Sequence, residues 1–238
     1  MSIESSPATN HASATADTPS TRWLFTWPAL VGAAYTLTWL VGLAVWPANL
    51  DIAASGRLIV ATYRTSQIQA MLQIGLVEGL AALALAAVAL AVGRHARQRG
   101  AARAGSAVVA LGLISAAISL VQCALGEALA GWIAPAGDAM VAKTLFDLLN
   151  RLDGVKMLTL AAMAVAGMAL AGAGASPRWL GRYEGALLAL ALVTSGCGYA
   201  LLYGPLSLAA VVSLPLLLVW VTGAGIATAR ARHSRNQE

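Results

Sequence analysis

Six stretches of the chain are almost purely apolar, at residues 25–46, 67–92, 105–127, 154–174, 185–203 and 206–227. Each approaches the roughly 20 residues that a helix needs to cross a hydrocarbon core of about 30 Å. None alternates apolar and polar positions with period two. Backbone groups in lipid must be satisfied within a helix or a closed barrel, so the pattern predicts helices. The expected fold is therefore all-α, a polytopic membrane bundle of six transmembrane helices over residues 23–228. A tail rich in Ser, Thr and Ala (1–22), expected to be disordered, precedes it, and a basic tail (229–238) follows. The first residues lack a basic segment, short apolar stretch and cleavage site in succession, so no removable signal peptide is expected.

The polar intervals are patterned too. Residues 47–66 predict a short interfacial helix through Arg57 to Arg64. In residues 128–153, Asp138 is placed to cap a helix whose Met140, Val141, Thr144, Leu145, Leu148 and Leu149 form a stripe at helical spacing. That segment is expected to lie on the membrane surface or over the mouth of the bundle. Tyr203, Gly204 and Pro205 predict a tight turn between antiparallel neighbours, and Pro215 a kink in the last helix. No convincing internal repeat is found.

Composition excludes an ordinary soluble enzyme. Apolar residues make up 59% of the 238 and charged residues 11%, with a mean hydropathy of +0.74, against about 25% charged in soluble domains. The net charge of +5 reads as a topology signal rather than a nucleic-acid surface. Ten basic residues (Arg22, Arg94, Arg97, Arg99, Arg103, Arg178, Arg182, Arg230, Arg232, Arg235) fall on one side, and five (Arg57, Arg64, Lys143, Arg151, Lys156) on the other. The positive-inside rule then places both termini in the cytoplasm of a multi-pass cell-membrane protein. The 13 Arg against 2 Lys suit GC-rich coding and a bacterial, actinomycete-type source. Cys123 and Cys197 show no CxxC or other metal spacing, and His11, His95 and His233 lie in polar segments. Neither a metal nor a cofactor is expected. Membrane lipid and a lipophilic small molecule are the expected partners, and the sequence does not fix the oligomeric state.

Charge is so scarce that Glu78, inside MLQIGLVEGLAALALAAVALAV, is conspicuous. An acid in the bilayer interior faces a cavity or a partner, and desolvation favours its neutral, proton-bearing form. Arg64, Gln67, Met71, Gly75 and Glu78 share one stripe at spacings of three and four, running from the outer surface to the acid. Ser115, Ser119 and Gln122, then Asn150, Asp153 and Lys156, then Ser195, Tyr199 and Tyr203, and finally Tyr35 and Trp39 bring polar and aromatic groups to the same outer half. A pocket there is expected, with Glu78 and Asp153 as acids and Gln67, Met71, Trp39, Tyr35, Gln122 and Tyr199 binding a substrate. The plainer reading makes Glu78 an interhelical hydrogen bond to Gln122 or Lys156, and Gln122 and Ser119 helix–helix glue. Lys156 is expected to snorkel outward, and Trp27, Trp46, Trp132 and Tyr203 to sit in the interfacial belts.

The stretch ASPRWLGRYEGALLALALVTSGCGY, with Pro177, Arg178, Trp179, Leu180 and Gly181 entering a helix, together with residues 57–130, resembles six-helix bacterial membrane proteins of unknown function. That resemblance implies a fold and no activity. Glu78 within QIQAMLQIGLVEG, and the outer loop ending at Asp153, are similar to features of the small membrane-bound terpene cyclases. This second resemblance implies an intramembrane enzyme acting on an isoprenoid-like substrate. Glu78 or Asp153 would protonate an alkene or epoxide, and Tyr35, Trp39 and Tyr199 would face the carbocation. The alternatives are a small transporter and an accessory or scaffold protein with a buried acid.

Overall fold

The computed structural model describes residues 26–47 and 50–235. The expected disordered tail at 1–22, with His11 and Arg22, lies outside the described residues. Those described are helical, with no strand among them. In chain order the helices are α1 (Trp27–Val45), α2 (Gly56–Thr65), α3 (Gln67–Gln98), α4 (Ala102–Ala136), α5 (Ala139–Gly172), α6 (residues 179–200) and α7 (Ala210–Arg235), the last preceded by a helical turn at Gly204–Ser207. Five helical segments are long and apolar enough to cross a membrane: Trp27–Val45, Gln67–Gln98, Ala102–Ala136, Ala139–Gly172 and Gly204–Ala231. The run at 185–203 forms most of α6, whose α-helical part, Gly185–Ala200, has only 16 residues. Leu37, Leu40, Leu187, Leu190 and Val211 leave broad apolar faces uncovered on α1, α6 and α7, as helices immersed in lipid do.

Local signals set the ends. Pro28 starts α1 from the first turn, where its missing N–H costs nothing. The Ser55 hydroxyl accepts from Leu58 N–H at 3.4 Å to begin α2, the expected interfacial helix. Gly137, at φ +82°, takes the left-handed conformation that closes α4. Asp138 then caps α5 as predicted, accepting from the N–H groups of Met140 (3.1 Å) and Val141 (3.0 Å). Beyond that cap the chain departs from expectation. The surface segment at 138–153 and the span at 154–174 are one helix of 34 residues, about 51 Å at 1.5 Å per residue. Gly154, at the expected break, instead serves packing: a Cβ there would collide with Ala200 N and Gly196 O of α6. Small residues likewise bring α1 and α7 together, where a Cβ on Gly225 would collide with Pro28 O and the Thr36 and Thr222 hydroxyls meet at 2.8 Å.

The buried residues form two clusters. The larger runs through the bundle and includes Tyr35, Leu85, Val88, Met163, Leu188 and Val221. The smaller caps one end, with Trp46, Ile59, Tyr63, Leu129, Ala142 and Phe146 brought together by α2 and the adjoining ends of α4 and α5. Trp46 therefore departs from its expected belt position. It is buried, edge-on to Tyr63 with ring centroids 5.1 Å apart. His95, expected in a polar segment, is buried within α3 at the opposite end.

Candidate functional site

A cavity of about 580 Å³ lies at the seam between the cap and the bundle core. Its floor is ionic. Lys156, on α5, places Nζ 2.9 Å from Glu78 Oε1, 2.8 Å from Glu78 Oε2 and 2.7 Å from Asp153 Oδ1. Asp153 stands three residues before Lys156 on the same helix, whereas Glu78 reaches across from α3. The α3 backbone is π-helical over Gly75–Leu80, a wide turn often found at functional positions. It retards the helical phase there, and Glu78 reaches Lys156 on α5.

Gln122 of α4 completes the floor. Its Nε2 donates to Leu149 O at 3.2 Å and to Asp153 Oδ1 at 3.5 Å, while Oε1 is buried without a hydrogen-bond partner. The walls are aromatic and aliphatic. Tyr35, Trp39 and Tyr199 line the bundle side, and Trp46, Tyr63 and Phe146 the cap side. Trp39 follows Tyr35 by one turn of α1. Gln73 Nε2 donates to Trp46 O at 3.2 Å, tying the cap to α3. Tyr63 lies outside the spans, and its burial in the cap pushes the phenol up to about 12.

Of the residues singled out from sequence, Glu78, Asp153, Tyr35, Trp39, Gln122 and Tyr199 line this cavity. Gln67 and Met71 do not. Gln67 Nε2 approaches Gly131 O at 3.5 Å, and Met71 packs in the cap beside the same glycine. The stripe joining Arg64 to Glu78 assumed one uninterrupted α-helix. The chain breaks at Ser66 (φ −124°, ψ 35°) and changes phase again in the π turn, so Arg64 is exposed on α2 and only Glu78 reaches the cavity.

Two further expectations change. Lys156 does not snorkel: it is 6% exposed and points inward, because two carboxylates meet it there. Glu78 does not face the cavity alone: both its oxygens accept from the Lys156 ammonium. The pairing with Lys156 is the interhelical bond of the plainer reading, set in the wall of a cavity. Sequence reasoning did not place Trp46, Tyr63 or Phe146 at the site. The Asp153–Lys156 spacing of three was the available sign of the ion pair.

Among the described residues no three His, Cys, Asp or Glu side chains gather as a metal site. Cys123 and Cys197 are free thiols, each half-buried. Glu184 is buried at the start of α6 with neither carboxyl oxygen hydrogen-bonded, away from the cavity. A second hollow, at the opposite end of the bundle, is lined by His95, Arg99, Trp179, Trp220 and Arg230, with no carboxylate among its described lining residues. Comparison with protein families, with curated proteins and with solved structures finds no match to this chain. Its apolar helices are compatible with an integral, multi-pass membrane protein.

Proposed function

We propose that this is a cell-membrane protein of six crossings, both termini cytoplasmic, that admits a lipophilic small molecule into the cavity and holds its polar group against Lys156, Glu78 and Asp153. The excess of basic residues at the end opposite α2 supports this orientation, which puts the cavity in the outer half. One observation carries the reading: an ion-paired floor under aromatic walls, in a space of about 580 Å³. That volume suits a small-molecule ligand. Burying three charges costs several kcal/mol per ion before pairing offsets it, a cost that stability alone does not require.

Leu43 of α1 and Val211 of α7 line the cavity and are also exposed on the outside of the bundle. This supports entry sideways from lipid between the outer ends of those helices. A binding role, or the handling of a solute, is favoured over acid-initiated cyclisation in the state described. Cyclisation needs a proton on Glu78 or Asp153 aimed at the ligand, and both carboxylates face an ammonium instead.

The test is saturable binding of a tritiated sesquiterpenoid alcohol to the full chain in nanodiscs. Val211→Phe, at the entry, is expected to weaken it at least tenfold, and Leu187→Phe, on the exposed face of α6, to leave it unchanged. Binding that never saturates, or that ignores Val211→Phe, contradicts the proposal.

A further inference from the structure

We infer that the ligand of this cavity carries a positive charge: a lipophilic amine or quaternary ammonium whose cationic head docks against Asp153 and Gln122. The inference rests on the ligand-binding reading above and adds the chemical class. The first argument is charge. Among the described residues, Glu78, Asp153 and Lys156 are the only acidic or basic ones lining the cavity, so carboxyl groups outnumber ammonium groups two to one. An unbalanced negative charge at membrane depth is costly and draws a cation. The single Lys156 ammonium is shared between the two acids, at 2.8 and 2.9 Å from Glu78 and 2.7 Å from Asp153.

The second argument is hydrogen bonding, and it is independent of the first. Asp153 Oδ1 takes both of that side chain's bonds, from Lys156 and Gln122, and none falls on Oδ2. Gln122, 5% exposed, lines the same space, spends its donor on Leu149 O and Asp153, and leaves Oε1 buried without a hydrogen-bond partner. On these two side chains the open valences are acceptors. An anion or a carbonyl group would add another acceptor to them, whereas an ammonium N–H, or the polarised C–H groups of a quaternary head, would satisfy them. The third argument is the wall. Tyr35, Trp39 and Tyr199 turn aromatic surface to the same space, and aromatic faces attract cations, most strongly where water is excluded. A ligand of this class needs an apolar body as well, for Leu85, Leu160, Leu192 and Leu217 line the rest.

The experiment compares an arylalkyl trimethylammonium probe with its neutral isostere, in which a tert-butyl group replaces the trimethylammonium. Both are titrated calorimetrically into the full chain in phosphatidylcholine nanodiscs, with empty nanodiscs as the blank. The cation is expected to bind at least tenfold more tightly than the isostere. Asp153→Asn is expected to remove that preference while leaving the isostere's affinity within about threefold. Equal or tighter binding of the isostere overturns the charge inference and leaves the ligand-binding reading standing. Failure of both probes overturns the two together. Should Asp153→Asn not fold, the preference measured in the unaltered chain decides by itself.

Discussion

Lys156 is where the energetics of the protein concentrate. A lysine buried to 6% exposure is tolerable because Glu78 and Asp153 lie within 2.9 Å of its Nζ. Removing it leaves two carboxylates facing each other in an apolar site. Lys156→Met is therefore expected to destabilise the fold by about 3–5 kcal/mol, the usual consequence of orphaning a buried charge. Combining it with Glu78→Gln and Asp153→Asn, which removes every charge, is expected to restore most of that loss. Thermal unfolding in detergent checks both. A single variant as stable as the parent would mean that the triad is hydrated and exerts little force.

Among the elements, α2 and its cap depend most on one side chain outside the spans. Tyr63 is buried against Trp46, and its phenol is pushed up to about 12 from an ordinary 10. A group whose acidity is weakened by folding stabilises the folded state fully below the unfolded value, and that contribution declines as pH rises from about 10 to about 12. At two units the loss reaches on the order of 3 kcal/mol. Trp46 emission is expected to shift to the red over that window, and Tyr63→Phe to abolish the shift. An unchanged transition in Tyr63→Phe would assign it to another group. These elements also show what a linear reading can recover. The apolar runs announce the long helices, and Asp138 announces a helix start, because both signals are local. Phase is different. The break at Ser66 and the π turn at Gly75–Leu80 shift the helical phase, so a fixed helical period carried Gln67 and Met71 to the cavity, which they do not line. Gly154 resembled an end and proved to be a contact, since only the fold brings Ala200 against it. Glu78, Asp153, Gln122 and the aromatic residues were legible because polar groups are rare in these runs. The inward turn of Lys156 was not, for it depends on Glu78, 78 residues away.

At the scale of the whole molecule, two clusters of buried residues meet at a seam, and the cavity occupies it. The proposed topology places the cap on the outer side and the end of α7 in the cytoplasm. Alkaline phosphatase fused after Glu238 is expected to be inactive, and the same enzyme inserted after Gly137, between α4 and α5, to be active. The reverse pattern would invert the protein and turn the cavity toward the cytoplasm. The central claim, that a lipophilic molecule occupies the space above Lys156, Glu78 and Asp153, is tested most directly by photolabelling membranes with a neutral lipophilic diazirine and mapping the adducts by peptide mass spectrometry. Adducts within Tyr35–Leu43 and Val211–Leu217 that an excess of unlabelled ligand suppresses are predicted. Labelling confined to outward residues such as Leu187 and Leu190, and indifferent to competitor, would contradict it.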